Sequence, residues 1–320
     1  MKKSIRFTAT FLDEISTDIP HQNWGLKEWD LDFEAMKAIG IDTVVMIRCG
    51  LERFLTYPSE VLMKEREAFR PPVDLMEMFL SLAEKHKMKF LPGTYVGQRD
   101  WGNEAIDYEK ETDLDCRVAD EIWEKYGKHS PAFAGWYLAK EVACMKENIV
   151  GEFVRLGQFC KKISGNLPIL ISPGMLGRRA YLPTQPEYKL GMDFERHEHD
   201  WDQIFNMIRG SVDIVAFQDG HCDIDELPHA LTIKRRLADK HGLELWTNTE
   251  SFDRDMPFRF PPIKWEKMRL KLEFARQAGI DKAITFEFSH FMSPNSFWPT
   301  AGHLYNRYRE YLAEEGLLQQ

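Results

Sequence analysis

The sequence has few cysteines, and none of them forms a paired motif. They are five in number, which is odd, and no CxxC pattern occurs. A disulfide framework normally uses an even number of cysteines in a protein of an oxidising compartment. We therefore expect reduced thiols and a cytoplasmic location. The cysteines are Cys49, Cys116, Cys144, Cys160 and Cys222.

Long apolar runs are also missing. The first residues carry two lysines but no apolar stretch of the length that a signal peptide has. No window approaches the roughly 18 apolar residues that a membrane-spanning helix needs. Neither a cleaved leader nor a membrane partner is expected.

A basic surface is absent as well. The formal net charge is −9, and the lysines and arginines are scattered along the chain. Binding to nucleic-acid phosphates requires a basic face, so a nucleic-acid partner is not expected. No low-complexity linker or charge block divides the 320 residues, which predicts one domain over residues 1–320.

The sequence does contain a regular alternation of short apolar runs with longer amphipathic segments. Several amphipathic segments end on a glycine, as helix C-termini do, at Gly40, Gly242 and Gly279. Eight β-then-α units predict an α/β protein with a single (β/α)8 TIM barrel, because an open doubly wound sheet usually has fewer strands and a glycine-rich first turn. The predicted strands are residues 5–12, 43–48, 89–96, 133–140, 168–172, 213–218, 243–249 and 282–288.

Two glutamates close apolar runs in this alternation, Glu141 after strand four and Glu250 after strand seven. Catalytic groups of this fold lie at the carboxyl ends of the strands. Strands four and seven lie on opposite sides of a barrel mouth, so the two carboxylates could approach within the roughly 5–5.5 Å of a retaining glycosidase. One would protonate the leaving oxygen and the other would attack the anomeric carbon.

Other polar and aromatic residues follow the predicted strands and could bind a sugar. Side-chain alternation, with small residues assumed to point into the barrel, predicts that Glu141 and Glu287 face inward. Aromatic rings could stack on a pyranose and amides could hold its hydroxyl groups. The alternatives are that each tryptophan is buried under a loop and that Lys140 and Arg48 neutralise carboxylates at the rim. The substrate-binding candidates are Arg48, Asn23, Trp24, Tyr95, Trp101, Gln218, Asn248, Glu287 and His290.

Glutamates that end strands four and seven, with Arg48 ending strand two, resemble clan A of the glycoside hydrolases. That resemblance implies that Glu141 is the acid/base, that Glu250 is the nucleophile and that Arg48 orients or stabilises Glu250. The segments FTATFLDEI, HQNWG, GWYLAKE and FSHFMSP are more closely similar to a bacterial family of glycoside-hydrolase-like barrels whose activity is not established. The chain departs from clan A at Lys140, where the clan usually has Asn, and near Gln218, where it has an aromatic residue or His.

Two other classes of function remain open at this point. A metal-dependent sugar isomerase or epimerase could draw its ligands from Glu141, Asp219, His221, Glu250 and Glu287. A non-catalytic carbohydrate-binding barrel is the second alternative. The hydrolase interpretation needs neither a metal nor another cofactor. The oligomeric state is left open.

One further motif contains two histidines and could indicate a metal site. His197 and His199 form an HxH pattern, which would bring both rings together on a strand but not on a helix. Because an amphipathic segment follows, we expect the start of a helix here, with Asp200 near its cap.

Overall fold

The computed structural model describes residues 4–16, 19–97, 106–180, 186–254 and 260–318. Eight strands in this part of the chain pair in parallel: β1 (Phe7–Leu12), β2 (Thr43–Met46), β3 (Lys89–Pro92), β4 (Trp136–Leu138), β5 (Ile169–Ile171), β6 (Ile214–Gln218), β7 (Glu244–Glu250) and β8 (Ala283–Phe286). Their order in the sheet is β3-β2-β1-β8-β7-β6-β5-β4. The ring closes between β3 and β4, where Thr94 N donates to Tyr137 O at 2.9 Å and parallel bridges join Phe90 to Phe133 and Gly93 to Tyr137. The predicted (β/α)8 barrel is confirmed.

Helices follow the strands on the outside of the barrel. Asp74, Asp107 and Asp193 cap three of them by accepting a hydrogen bond from a backbone N–H of the first turn. Gly242 and Gly279 end two others with positive φ angles of 70° and 84°, as their positions in the sequence predict. The long helices are α1 (Leu26–Ala38), α2 (Leu75–Lys85), α3 (Tyr108–Lys125), α4 (Glu147–Ile163), α5 (Phe194–Ile208), α6 (Leu227–His241), α7 (Trp265–Ala278) and α8 (Pro299–Glu314).

Shorter helices and strands lie in the loops between these elements. Short α-helices lie at Glu60–Glu65 and Phe288–Phe291, and 3-10 helices at Gly127–His129 and Pro186–Leu190. A small three-stranded sheet joins Gly50–Leu51, Phe54–Leu55 and Tyr95–Val96 near the carboxyl end of β2. None of the helices described in the structure is both long and apolar enough to cross a membrane.

Side-chain alternation on the strands divides the core into an inner and an outer cluster. On β4, Tyr137 belongs to the inner cluster, whereas Trp136 and Leu138 pack outward beneath the helices. Burial of one large apolar side chain contributes roughly 1.5–3 kcal/mol, so both layers stabilise the barrel. The inner cluster fills the barrel below the mouth, and polar side chains take over where the strands end.

The segment around the HxH motif is helical throughout. Helix α5 begins at Phe194 and is capped by Asp193, whose side chain accepts from Arg196 N at 3.1 Å. The expected cap at Asp200 was wrong, because the helix begins at Phe194 and Asp200 lies within it. The HxH residues therefore lie inside a helix, with their side chains in different directions.

Candidate active site

The barrel mouth encloses a cavity of about 380 Å³ at the carboxyl ends of the strands. Active sites of (β/α)8 barrels form at this end. β1, β2 and β4 to β8, or the residues directly after them, contribute to its wall. Five residues predicted from the sequence line it together: Arg48, Glu141, Gln218, Asn248 and Glu250.

Glu141 reaches the cavity because of the alternation that continues past β4. Tyr137 and Glu141, four residues apart, both line the cavity. Lys140 points the other way, where its Nζ lies 2.6 Å from Glu152 Oε2 and 3.2 Å from Asp115 Oδ2. Lys140 thus pairs with buried carboxylates of α3 and α4 and does not neutralise Glu141.

The Glu141 carboxylate is held beside a guanidinium. Arg48 Nη2 lies 3.4 Å from Glu141 Oε1, and Arg48 Nη1 donates to Ser16 Oγ at 2.7 Å. Burial raises the pKa of Glu141 above its ordinary value, and this outweighs the lowering by Arg48 and by the Gln218 amide. About 36% of the side chain stays exposed, and that part opens to the cavity.

Glu250 has a different partner, Arg254, four residues later. Arg254 Nη2 and Nε lie 2.7 and 2.9 Å from Glu250 Oε1 and Oε2, which is a bidentate contact. Burial pushes the pKa of Glu250 upward, but the charge and hydrogen bonds of Arg254, with the charges of Lys271 and His221, leave it below its ordinary value. The clan A resemblance implies that Arg48 orients Glu250; the structure instead places Arg48 on Glu141 and Arg254 on Glu250.

The backbone around Glu250 is fixed by a buried ion pair. Asp219 Oδ1 accepts from Glu250 N at 3.1 Å and from Lys271 Nζ at 2.7 Å. The next residue, Gly220, lies so close that a Cβ atom there would overlap the Glu250 carboxylate. The turn after β6 therefore needs a residue without a side chain at this position.

The remaining predicted residues of the cavity form a polar network across β5, β6 and β7. Gln218 Nε2 donates to Ser172 O at 2.7 Å, and Asn248 Nδ2 donates to Ser172 Oγ at 2.9 Å. Ser172 Oγ donates in turn to Ala216 O at 2.7 Å. The three strands are thus tied together next to the two glutamates.

Glu287 does not face the barrel interior, and that prediction was wrong. The inward side chains of β8 are Ile284 and Phe286, which pack on the inner cluster, whereas Ala283 packs under the helices. The assumption that small residues point inward fails on this strand. Large apolar side chains fill the interior here, which reverses the orientation of every residue in the strand.

Glu287 and His290 form a separate buried pair directly after β8. Glu287 caps the short helix Phe288–Phe291 by accepting from Ser289 N and His290 N, each at 2.8 Å. Its carboxylate also bonds to the His290 ring, and despite burial this contact raises the pKa of His290 to about 9. Neither residue lines the cavity, so the structure does not place them with Glu141 and Glu250.

Asn23 and Trp24 also lie away from the cavity. Asn23 is exposed and adopts a left-handed conformation with φ 57°. Trp24 is half-buried and packs edge-to-face on Trp29 of α1, with ring centroids 5.0 Å apart. Trp24 thus packs against the hydrophobic core and does not line the cavity.

The last two aromatic candidates are Tyr95 and Trp101. Tyr95 is buried, and its hydroxyl donates to Glu52 O at 2.7 Å without lining the cavity. Trp101 lies outside the described residues. The aromatic part of the cavity wall comes instead from Tyr137 and from phenylalanines, among them Phe11, Phe252 and Phe286.

Some residues that line the cavity were not predicted, although their positions in the sequence follow the strand pattern. Asp13 directly follows β1, and Phe252 and Arg254 lie two and four residues after Glu250. All three continue the alternation of a strand into its loop. That spacing alone does not separate a cavity residue from a residue that turns away.

The metal ligands of an isomerase are not assembled in the described part of the chain. No group of three or more His, Cys, Asp or Glu side chains there has the geometry to hold a metal ion. Neither Glu287 nor His221 lines the cavity that holds Glu141 and Glu250. The described cysteines are free thiols.

Comparison with protein families identifies the chain. The family model described as "Domain of unknown function (DUF4434)" matches residues 7–298, which is most of the sequence. The chain belongs to this family. The DUF4434 match covers all eight strands and both glutamates.

Solved structures share this fold. A crystal structure described as a "putative alpha-L-fucosidase" from Bacteroides thetaiotaomicron is 51% identical, covers 97% of this chain and 94% of its own, and has a TM-score of 0.91. An endo-beta-1,4-mannanase from Thermotoga petrophila is 11% identical, covers 90% of this chain and 68% of its own, and has a TM-score of 0.59.

A beta-glucuronidase of an uncultured Clostridium is 13% identical, covers 95% of this chain and 50% of its own, and has a TM-score of 0.55. At such identities the likeness is one of fold. No curated protein matches the chain. The DUF4434 chain thus has a barrel of the kind that glycoside hydrolases use.

Proposed function

We propose that this protein is a retaining glycoside hydrolase in which Glu141 is the general acid/base and Glu250 the nucleophile. The observation that carries the proposal is that two carboxylates line one cavity at the barrel mouth, each beside its own arginine. These surroundings separate their pKa values, since burial raises that of Glu141 and Arg254 lowers that of Glu250. Such a separation is the mark of a carboxyl pair with divided acid and nucleophile roles. The sugar-cleaving neighbours of similar fold agree with it.

In the first step Glu141 donates its proton to the glycosidic oxygen while Glu250 attacks the anomeric carbon. The bond to the leaving group breaks, and a glycosyl ester forms on Glu250. Glu141, now ionised, is stabilised by Arg48 and takes a proton from the water that hydrolyses the ester. Arg254 can keep one Glu250 oxygen bonded while the other attacks, which orients the carboxylate.

The experiment that tests this proposal compares three glutamine variants. Glu141→Gln is expected to lose about 10²–10⁴-fold in kcat/KM on glycosides with poor leaving groups, and less on nitrophenyl glycosides, which need no proton. Glu250→Gln is expected to lose activity on both. The substrates are a panel of nitrophenyl glycosides, which includes the α-L-fucoside suggested by the Bacteroides relative, each paired with the methyl glycoside of the same sugar as the poor leaving group.

Glu244→Gln serves as the matched control, because Glu244 lies at the opposite end of β7, where it is exposed and pairs with Lys282 at 2.6 Å. It is expected to retain full activity. Equal loss in Glu141→Gln on both kinds of leaving group would remove the acid/base role.

A further inference from the structure

The cavity wall contains buried polar atoms that have no hydrogen-bond partner among the described residues. They are Asp13 Oδ2, Tyr137 OH, Asn248 Oδ1 and Arg48 Nε. Asp13 and Tyr137 are fully buried, and Asn248 is 1% exposed. An unpaired buried polar group costs about 1–3 kcal/mol, so atoms of this kind at a cavity wall mark positions that a ligand can satisfy.

Two of these atoms are acceptors whose orientation is fixed. Asp13 Oδ1 already accepts from Ile15 N at 3.0 Å and Ser16 N at 2.9 Å, which leaves Oδ2 for another donor. The Ser172 hydroxyl proton goes to Ala216 O, so Asn248 must present its N–H₂ to Ser172 and its Oδ1 elsewhere. Neither oxygen has a donor among the described residues, so each can accept a hydrogen bond from a ligand in the cavity.

Tyr137 adds a group that can both donate and accept. Its pKa is raised by burial and by the Glu141 and Asp13 carboxylates, so the phenol keeps its proton. Tyr137 lines the cavity together with Asp13, Arg48 and the two glutamates of the proposed catalytic pair.

Sugar hydroxyl groups match this set, because each one donates one hydrogen bond and accepts others. A sugar carboxylate does not match the two oxygens, because it has no proton to donate to Asp13 Oδ2 or Asn248 Oδ1. Arg48 and Arg254, which also line the cavity, already bond to Glu141 and Glu250. The aromatic rings Phe11 and Phe286, with centroids 5.7 Å apart, offer an apolar surface for the C–H groups of a sugar ring.

We propose that the cavity binds a neutral sugar, whose hydroxyl groups bond to Asp13, Tyr137 and Asn248, and that it discriminates against uronic acids. This inference rests on the proposed hydrolase function, because it names the class of substrate that the proposed active site binds. Asp13 determines the discrimination by charge, and Tyr137 and Asn248 contribute affinity.

The test measures binding of free monosaccharides at millimolar concentration by calorimetry and ligand-observed NMR. Glucose, galactose, mannose and L-fucose are the neutral probes, and glucuronate and galacturonate are the acidic ones. At least one neutral sugar is expected to bind, and each uronate is expected to bind at least about tenfold more weakly than the neutral sugar that binds most tightly. One good polar contact is worth about that factor.

Tyr137→Phe removes only the hydroxyl and is expected to weaken binding of the neutral sugar about three- to tenfold, the effect of one hydrogen bond. Tyr95→Phe is the matched control, since the Tyr95 hydroxyl bonds to Glu52 O outside the cavity, and it is expected to change affinity less than about twofold. Asp13→Asn replaces a charged acceptor by an amide that can donate. It is expected to reduce the difference in affinity between the neutral sugar and the uronate.

Three results would overturn the inference: no binding of any neutral sugar, equal or tighter binding of the uronate, or equal effects of Tyr137→Phe and Tyr95→Phe. Binding needs no turnover, so the two proposals fail separately. If the protein cleaves glycosides but prefers uronides, the proposed hydrolase function holds and the inference about neutral sugars is wrong. If it binds neutral sugars as expected but cleaves no glycoside, the inference holds and the hydrolase function is wrong.

Discussion

Glu141 and Glu250 carry the same functional group, and their neighbours give them different proton affinities. Glu141 has a single guanidinium contact at 3.4 Å, so burial dominates and its pKa is raised. Glu250 has two hydrogen bonds from Arg254, so its pKa is lowered. The sequence predicts the two acids but not this difference, because the contact between Arg48 and Glu141 joins residues 93 positions apart.

This difference predicts a bell-shaped pH dependence of kcat/KM. Activity is lost as pH falls through the pKa of Glu250, which must be ionised, and as pH rises through the pKa of Glu141, which must be protonated. Arg254→Gln removes the main cation on Glu250, so its pKa rises and the acid limb moves to higher pH. Arg48→Gln removes the cation on Glu141, so the alkaline limb moves to higher pH.

Each of these variants is the control for the other. The measurement is kcat/KM against pH for wild type and both variants, with one glycoside whose leaving group is poor enough to need the proton of Glu141. A shift of the same limb in both variants would contradict the assigned roles.

At the level of elements, the strand ends illustrate what the sequence can and cannot predict. Alternation on β4 correctly separates Glu141 from Lys140, and on β7 it groups Asn248 with Glu250. On β8 it groups Ala283 with Glu287 but does not tell which side is inward. That choice depends on packing against β1 and β7 and against the helices, which are distant in sequence.

The turn after β6 gives a prediction at the same level. Gly220→Ala is expected to lower kcat/KM about tenfold or more, because the added Cβ displaces the Glu250 carboxylate and a small misplacement of a reacting group can cost up to about 10²-fold. Gly151→Ala in α4 is the matched control, since no atom lies within 4 Å of the added Cβ. Unchanged activity in Gly220→Ala would show that Glu250 does not need its observed position.

For the whole molecule, eight repeats of strand and helix make the barrel predictable, because each element carries its own periodicity and caps. Charges buried between the layers are not predictable in this way. Lys234 of α6 is fully buried, its Nζ has no hydrogen-bond partner among the described residues and lies 4.4 Å from the ring centre of Phe217. Burial lowers its pKa to about 7.

Lys234 predicts a pH-dependent part of the folding free energy. Between about pH 7 and 10 the unfolded chain holds a proton on Lys234 that the folded protein lacks, so this residue makes the fold more stable as pH rises. Lys234→Met keeps the volume and removes the charge, so it is expected to be more stable than wild type at pH 7. This advantage shrinks towards pH 10, by roughly 1.4 kcal/mol for each pKa unit titrated.

Denaturant unfolding across this pH range provides the measurement, with the exposed Lys27→Met as control. The difference between wild type and Lys234→Met isolates this residue from other titrating groups. A difference that stays constant with pH, or a less stable Lys234→Met at pH 7, would contradict the account.

The measurement that tests the pairing of Glu141 and Glu250 most directly is trapping of the glycosyl-enzyme. A 2-deoxy-2-fluoro glycoside of a sugar that the enzyme cleaves slows the second step, and mass spectrometry of the digested protein then locates the adduct. The account predicts one sugar attached to Glu250, with Glu141→Gln still labelled by a reagent whose leaving group needs no proton. A label on any other residue would contradict it.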